Sequence, residues 1–135
     1  MTITFMKTTK GRVCGGYLHI AWKEGKPEFG SDLSAFLFSL DHRCKLMPTD
    51  PKMAVSFVLG NGYGPYFRES LGVGNNQMMN APDNCSCLTD ESTNNNYKVP
   101  KDSSGNSLLT GDGAGKPDSS KKFTLAGIET WSVIY

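Results

Sequence analysis

The chain has 135 residues, 38% hydrophobic and 20% charged, with a formal net charge of +1. That is the length of one domain with a modest core. The near-neutral balance excludes a protein built around nucleic-acid phosphates, which needs a basic excess, and no apolar stretch reaches the ~18 residues of a membrane-spanning helix.

Met1-Thr2-Ile3-Thr4-Phe5 lacks the basic-then-apolar layout of a signal peptide, so a cytoplasmic location is expected. Thr2 to Lys7 alternates as a strand, with Ile3 and Phe5 on one side and Thr2, Thr4 and Met6 on the other. Lys10-Gly11 is a turn signal, and Arg12 to Ile20 is a second strand completing a hairpin. Gly15-Gly16 inside it predicts a bulge or a close backbone approach. Glu24-Gly25-Lys26-Pro27 reads as a loop.

Ser34 to Leu40 is a short run apolar on both parities: Phe36, Phe38 and Leu40 against Ala35, Leu37 and Ser39. Its length favours a buried strand. Cys44 to Met47, stopped by Pro48, and Met53 to Leu59, stopped by Gly60-Asn61-Gly62, are further strands. Gly62-Tyr63-Gly64-Pro65-Tyr66-Phe67 reads as a turn with aromatic anchors. Residues 72–115 form a segment rich in Asn, Ser and Gly, expected as long loops with brief edge strands at Gln77 to Met79 and Leu108 to Leu109. Lys122 to Tyr135 is the clearest strand, with Phe123, Leu125, Glu129, Trp131, Val133 and Tyr135 on one side. No segment keeps a helical period. The expected fold is mainly β, an antiparallel two-sheet sandwich with few short helices and long polar loops.

Several motifs then fall in a recognisable order. Phe5-x-Lys7-Thr8-Thr9-x-Gly11 leads into Gly15-Gly16-Tyr17 and Trp22. Ser31-Asp32 precedes Ala35-Phe36-Leu37-Phe38-Ser39-Leu40. Gly62-Tyr63-Gly64-Pro65-x-Phe67 follows a strand, and Leu109-Thr110-Gly111 precedes Phe123 and Ile128-Glu129-x-Trp131. In this order the chain, as a single domain over 1–135, resembles the TLDc domain of oxidation-resistance proteins. The resemblance implies two packed antiparallel sheets, a link to protection against oxidative damage, and docking on the vacuolar-type proton ATPase. Family domains usually carry a further stretch ahead of the Phe-x-Lys-Thr segment. This chain begins almost at that segment, so it reads as either a fragment or an N-terminally shortened version. A missing strand would leave an open sheet edge, and open edges pair with other chains.

Tyr17, Trp22 and Trp131 read either as core or as interface anchors, and Tyr66 joins Tyr17 and Trp131 as a partner-binding candidate. Glu129 shares a strand face with Trp131 and Phe123. A carboxylate there calls for a buried hydrogen-bonded role or a partner contact. A general acid–base role would need a second carboxylate beside it. The four cysteines, Cys14, Cys44, Cys85 and Cys87, read as reduced thiols, with zinc or a disulfide as alternatives; only Cys85-Ser86-Cys87 is close, an uncommon ligand spacing. Cys85 and Cys87, in a polar loop, and Cys14 are the redox candidates, with Cys14 reading first as a small buried hydrophobe. Cys14 and His19 differ in strand parity, which argues against a Cys-His nucleophile unless a bulge resets it. Asp112-Gly113-Ala114-Gly115 lacks the spaced ligands of a calcium loop.

The leading expectation is a non-enzymatic protein-binding module without metal, cofactor, nucleic-acid partner or membrane insertion. Self-assembly through open sheet edges is the alternative, as a homo-oligomer or larger assembly. A thiol-based peroxide scavenger ranks last.

Overall fold

The first hairpin sets the frame. In the computed structural model, which describes residues 1–22, 28–57, 65–73, 85–87, 95–113 and 122–134, strand β1 (Thr2–Thr8) pairs antiparallel with β2 (Val13–Leu18). Gly11 closes the turn at φ 81°, a left-handed conformation that costs glycine little. β-Branched and aromatic side chains favour these extended segments because they pack on a pleated surface.

A five-stranded antiparallel sheet grows on both sides of this hairpin. Its order is β11 (Leu125–Ser132), β1, β2, β4 (Phe36–Ser39) and β5 (Cys44–Leu46). A second sheet runs β10 (Lys122–Phe123), β9 (Cys85–Ser86), β8 (Leu71–Val73) and β7 (Tyr66–Phe67). A separate pair joins β3 (Glu28–Gly30) to β6 (Val55–Phe57). Two single-turn 3-10 helices, Pro51–Met53 and Arg68–Ser70, are the helical elements among the described residues. The fold is mainly β, as the residue pattern implies.

The core lies between the sheets. Met6, Cys14, Leu18 and Leu37 contribute from the five-stranded sheet; Phe67, Leu71, Val73 and Phe123 contribute from the other. Burying each large side chain stabilises the fold by about 1.5–3 kcal/mol. Tyr97, Val99 and Leu109 enter from the 95–113 loop and are as deeply buried. That loop is held by polar pairs that satisfy its buried groups. The Tyr97 hydroxyl donates to the Ala54 carbonyl at 2.6 Å, and the Asn95 side-chain oxygen accepts from Ser70 Oγ and the Val99 N–H.

Several features refine the strand reading or differ from it. No bulge sits at Gly15-Gly16: the β1–β2 register is unbroken from Thr2↔Leu18 to Lys7↔Val13. The glycines serve the other expectation, close approach. A Cβ on Gly15 would collide with the Thr4 carbonyl, and one on Gly16 would enter the Phe67 ring from the facing sheet. The irregularity lies instead between Lys7 and Thr8 opposite β11. The last strand is also two strands: Phe123 belongs to the smaller sheet, and after Thr124 the chain enters the five-stranded one.

Leu108 and Leu109 lie in a turn flanked by an isolated Lys101↔Ser107 bridge, not in an edge strand. The loop-rich 72–115 segment is also less polar in role than in composition, because its 95–113 part supplies core residues and β8 starts before it. Tyr66 and Phe67 form a strand where a turn was expected. The readings at Glu24 to Pro27, Val58 to Gly64 and Gln77 to Met79 lie outside the described residues.

Candidate functional site

Strand parity divides the five-stranded sheet into two unlike faces. Facing the core are Thr4, Met6, Thr8, Cys14, Leu18, Leu37 and Ser39, all buried. The threonines there are paired: Thr8 Oγ1 donates to the Thr110 carbonyl at 3.0 Å, and Thr4 Oγ1 lies 3.0 Å from Thr130 Oγ1. Ile3 and Phe5, the more apolar parity of β1, point the other way.

The registers Ile3↔Trp131, Ile3↔Tyr17 and Tyr17↔Phe36 place one row of large side chains across the outer face. A second row runs through Glu129, Phe5, Gly15, Phe38 and Lys45. Their rings touch: Tyr17 stacks on Phe36 at 5.1 Å and 19°, and Phe5 meets Phe38 edge-on at 5.4 Å. Gly15 keeps the second row low, because no side chain stands between Phe5 and Phe38.

The result is an open groove of about 400 Å³ floored by Ile3, Phe5, Phe36 and Phe38, with Arg43 and Lys45 on its rim. Lys45 Nζ sits 4.3 Å from the centre of the Phe36 ring, a cation–π contact. At the opposite end Trp131 is 59% exposed, and its indole N–H donates to Glu129 Oε2 at 3.1 Å. The carboxylate that shared an apolar face on paper is therefore exposed. Its neighbour Phe123, by contrast, is buried in the other sheet.

Of the partner-binding candidates, Tyr17, Glu129 and Trp131 come together on this outer face. Tyr66 does not: it lies in β7, with its ring over Gly72. Trp22 packs edge-on against Phe67 at 5.5 Å and donates from Nε1 to Thr2 Oγ1 at 3.0 Å. The residues missed were those of the groove itself: Ile3, Phe5, Phe36, Arg43 and Lys45. One signal marked them. The Ser34 to Leu40 run is apolar on both parities, so either both faces are covered or one presents apolar surface.

Two of the thiols are placed differently from their reading: Cys85, in β9, and Cys87, just after it, are core residues. Cys14 is buried, as expected of a small hydrophobe. Cys87 Sγ lies 3.2 Å from Ser107 Oγ. Burial, with Cys87 and Asp41 as smaller causes, pushes the Cys14 thiol far above its ordinary value. A thiolate nucleophile is disfavoured there. His19 is exposed just beyond the end of β2 and Cys14 is buried within it; with the register unbroken they face opposite ways. Among the described residues no group of three or more His, Cys, Asp or Glu side chains is arranged to hold a metal ion.

Other carboxylates serve the fold. Asp32 accepts from the N–H groups of His19 at 2.6 Å and Ser34 at 2.8 Å, tying the end of β2 to the segment before β4. Asp102 pairs with Arg12 at 3.1 Å, and Arg12 also contacts His42 Nε2. Desolvation raises the Asp102 carboxyl, but the N–H groups of Ser104 and Asn106 and the Arg12 guanidinium outweigh it and hold the carboxyl below its usual range.

A family model described as the TLDc domain matches residues 1–134. No curated protein matches the chain.

Proposed function

We propose, from the premise that this chain belongs to the TLDc domain family, that it is a protein-binding module whose docking surface is the outer face of the five-stranded sheet. TLDc domains are associated generally with oxidative stress. One observation carries the proposal: aromatic side chains from four strands converge on an open face, with Trp131 59% exposed, while the thiols Cys14, Cys85 and Cys87 lie in the core. Exposed aromatic clusters with a charged rim are the composition of interface hot spots. The buried thiols count against peroxide scavenging, which needs accessible thiolates.

The resemblance makes the vacuolar-type proton ATPase the partner to test. The experiment measures binding of the purified chain to the purified ATPase, for wild type and for Trp131→Ala and Phe36→Ser. Phe29→Ala, half-exposed on the separate β3–β6 pair, is the control. Truncating a central aromatic anchor costs about 2 kcal/mol or more, roughly 30-fold in Kd. Saturable binding weakened by both variants and not by the control supports the proposal. Absence of wild-type binding removes this partner, and equal binding by all four proteins removes this face.

A further inference from the structure

Among the described residues the longest strand is also the most exposed. β11 ends the order of the five-stranded sheet, and every residue from Ala126 to Ser132 is exposed. Its inner side is not closed by the second sheet either: Ile128, which points away from the aromatic face, is 41% exposed. The edge carries few of the usual devices against pairing. Leu125–Ser132 holds no proline and no lysine, and its one charge is Glu129. Its irregularity, opposite Lys7 and Thr8, leaves the stretch from Gly127 to Ser132 regular.

The hydrogen-bond phase of this edge follows from one contact. The Val133 N–H donates to the Met1 carbonyl at 3.1 Å. In an antiparallel ladder, alternate residues direct both backbone groups to the same neighbour. The odd residues of the regular stretch therefore bond to β1. The N–H and C=O groups of Ile128, Thr130 and Ser132 point outward, away from it.

We infer that β11 pairs antiparallel with β11 of a second copy of this chain, centred on Thr130, making one continuous sheet across a two-fold axis. Ile128 then lies opposite Ser132 of the second copy, Thr130 opposite Thr130, and Ser132 opposite Ile128. Each of these pairs exchanges two backbone bonds, about six in all. On the aromatic face Glu129 falls opposite Trp131 of the second copy, so each carboxylate, which already accepts from the indole of its own chain, lies beside a second indole and not beside a second carboxylate. Sliding by two residues toward the N-terminus sets Glu129 against Glu129, which like-charge repulsion disfavours. Counted over the regular stretch from Gly127 to Ser132, it also leaves two bonded pairs in place of three. Sliding the other way shortens the ladder too and runs past the end of β11. Charge and bond count therefore select the same register, and the strand is complementary to itself, as a two-fold interface requires. This pairing uses the strand's edge and leaves the groove at β4 and β5 open; it shares Trp131 with the docking reading, so Phe36→Ser, away from β11, and Ile128→Lys, away from the aromatic face, are the variants that separate the two.

The test is solution mass combined with a cross-link that reads the register. Sedimentation equilibrium of the full chain at about 10–100 µM is expected to give twice the monomer mass. Thr130→Pro removes the outward N–H at the two-fold axis and is expected to give monomer. Ile128→Lys, which places a charge on the same edge without altering the backbone, is the second disrupting variant and covers misfolding of the first. Thr130→Cys is expected to cross-link on mild oxidation, since Cα atoms of a hydrogen-bonded pair lie about 5.5 Å apart, within disulfide range. Ser132→Cys, opposite Ile128, is expected not to. A wild-type monomer throughout the concentration range overturns the inference. So does a dimer that persists in Ile128→Lys, or one that cross-links through Ser132→Cys and not Thr130→Cys.

Discussion

Gly16→Ala and Gly127→Ala are the same substitution in the same sheet, yet they are expected to have opposite effects. At Gly16 an added Cβ enters the Phe67 ring, with two further ring carbons at 2.6 and 2.8 Å. Phe67 cannot retreat freely, because Trp22 stands edge-on to it at 5.5 Å and Tyr97 at 6.3 Å. Overpacking of this kind costs about 1–3 kcal/mol. At a urea slope of about 2 kcal/mol per molar, the unfolding midpoint falls by roughly 0.5–1.5 M. At Gly127 nothing lies within 4 Å of the added Cβ and φ is not left-handed. Alanine there restricts the unfolded chain more than the folded one and stabilises by about 0.4–1 kcal/mol. Urea titrations followed by tryptophan fluorescence and by circular dichroism give both values. Gly16→Ala with Phe67→Leu should recover part of the loss, a coupling read from the double-mutant cycle. If Gly16→Ala unfolds at the same urea concentration as Gly127→Ala, the face-to-face packing of the two sheets at this point is refuted.

Tyr97→Phe removes the hydroxyl bonded to the Ala54 carbonyl at 2.6 Å. Leaving that carbonyl unpaired in the core costs about 1–3 kcal/mol, visible as a lowered thermal midpoint. Asp102 is held below its ordinary pKa in the fold. Its contribution is therefore present above the unfolded value of about 3.9 and lost as pH falls through the folded value. Asp102→Asn should weaken the stability loss on the acid side while leaving its slope near pH 7 unchanged, which urea midpoints between pH 2 and 7 will show. Titration of the native protein with an aromatic disulfide reagent should label Cys44 ahead of Cys14, Cys85 and Cys87, and denaturant should expose all four. Rapid labelling of Cys85 or Cys87 in the native state would contradict their burial and revive thiol chemistry.

The first hairpin, the strands near 36–39, 44–46 and 55–57, and the β class were legible because strand alternation and turn residues are local properties of the chain. The order of the family motifs was legible for the same reason. Which parity of each strand faces inward was not. In β1 the more apolar side, Ile3 and Phe5, looks outward, while Thr4 and Thr8 are buried with hydrogen-bond partners contributed by Thr130 and Thr110, more than 100 residues away. The partition of Lys122 to Ser132 between two sheets was equally hidden. Period-two alternation continues through Thr124, so nothing local marks the crossing that buries Phe123 and exposes Trp131. Cys85 and Cys87 sit in polar company along the chain but in apolar company in space. The sequence by itself determined which segments extend and where they turn, because those depend on near neighbours. Only the tertiary structure decided which face is core, which edge is open and which thiols are shielded, because burial depends on contacts between residues far apart in the chain.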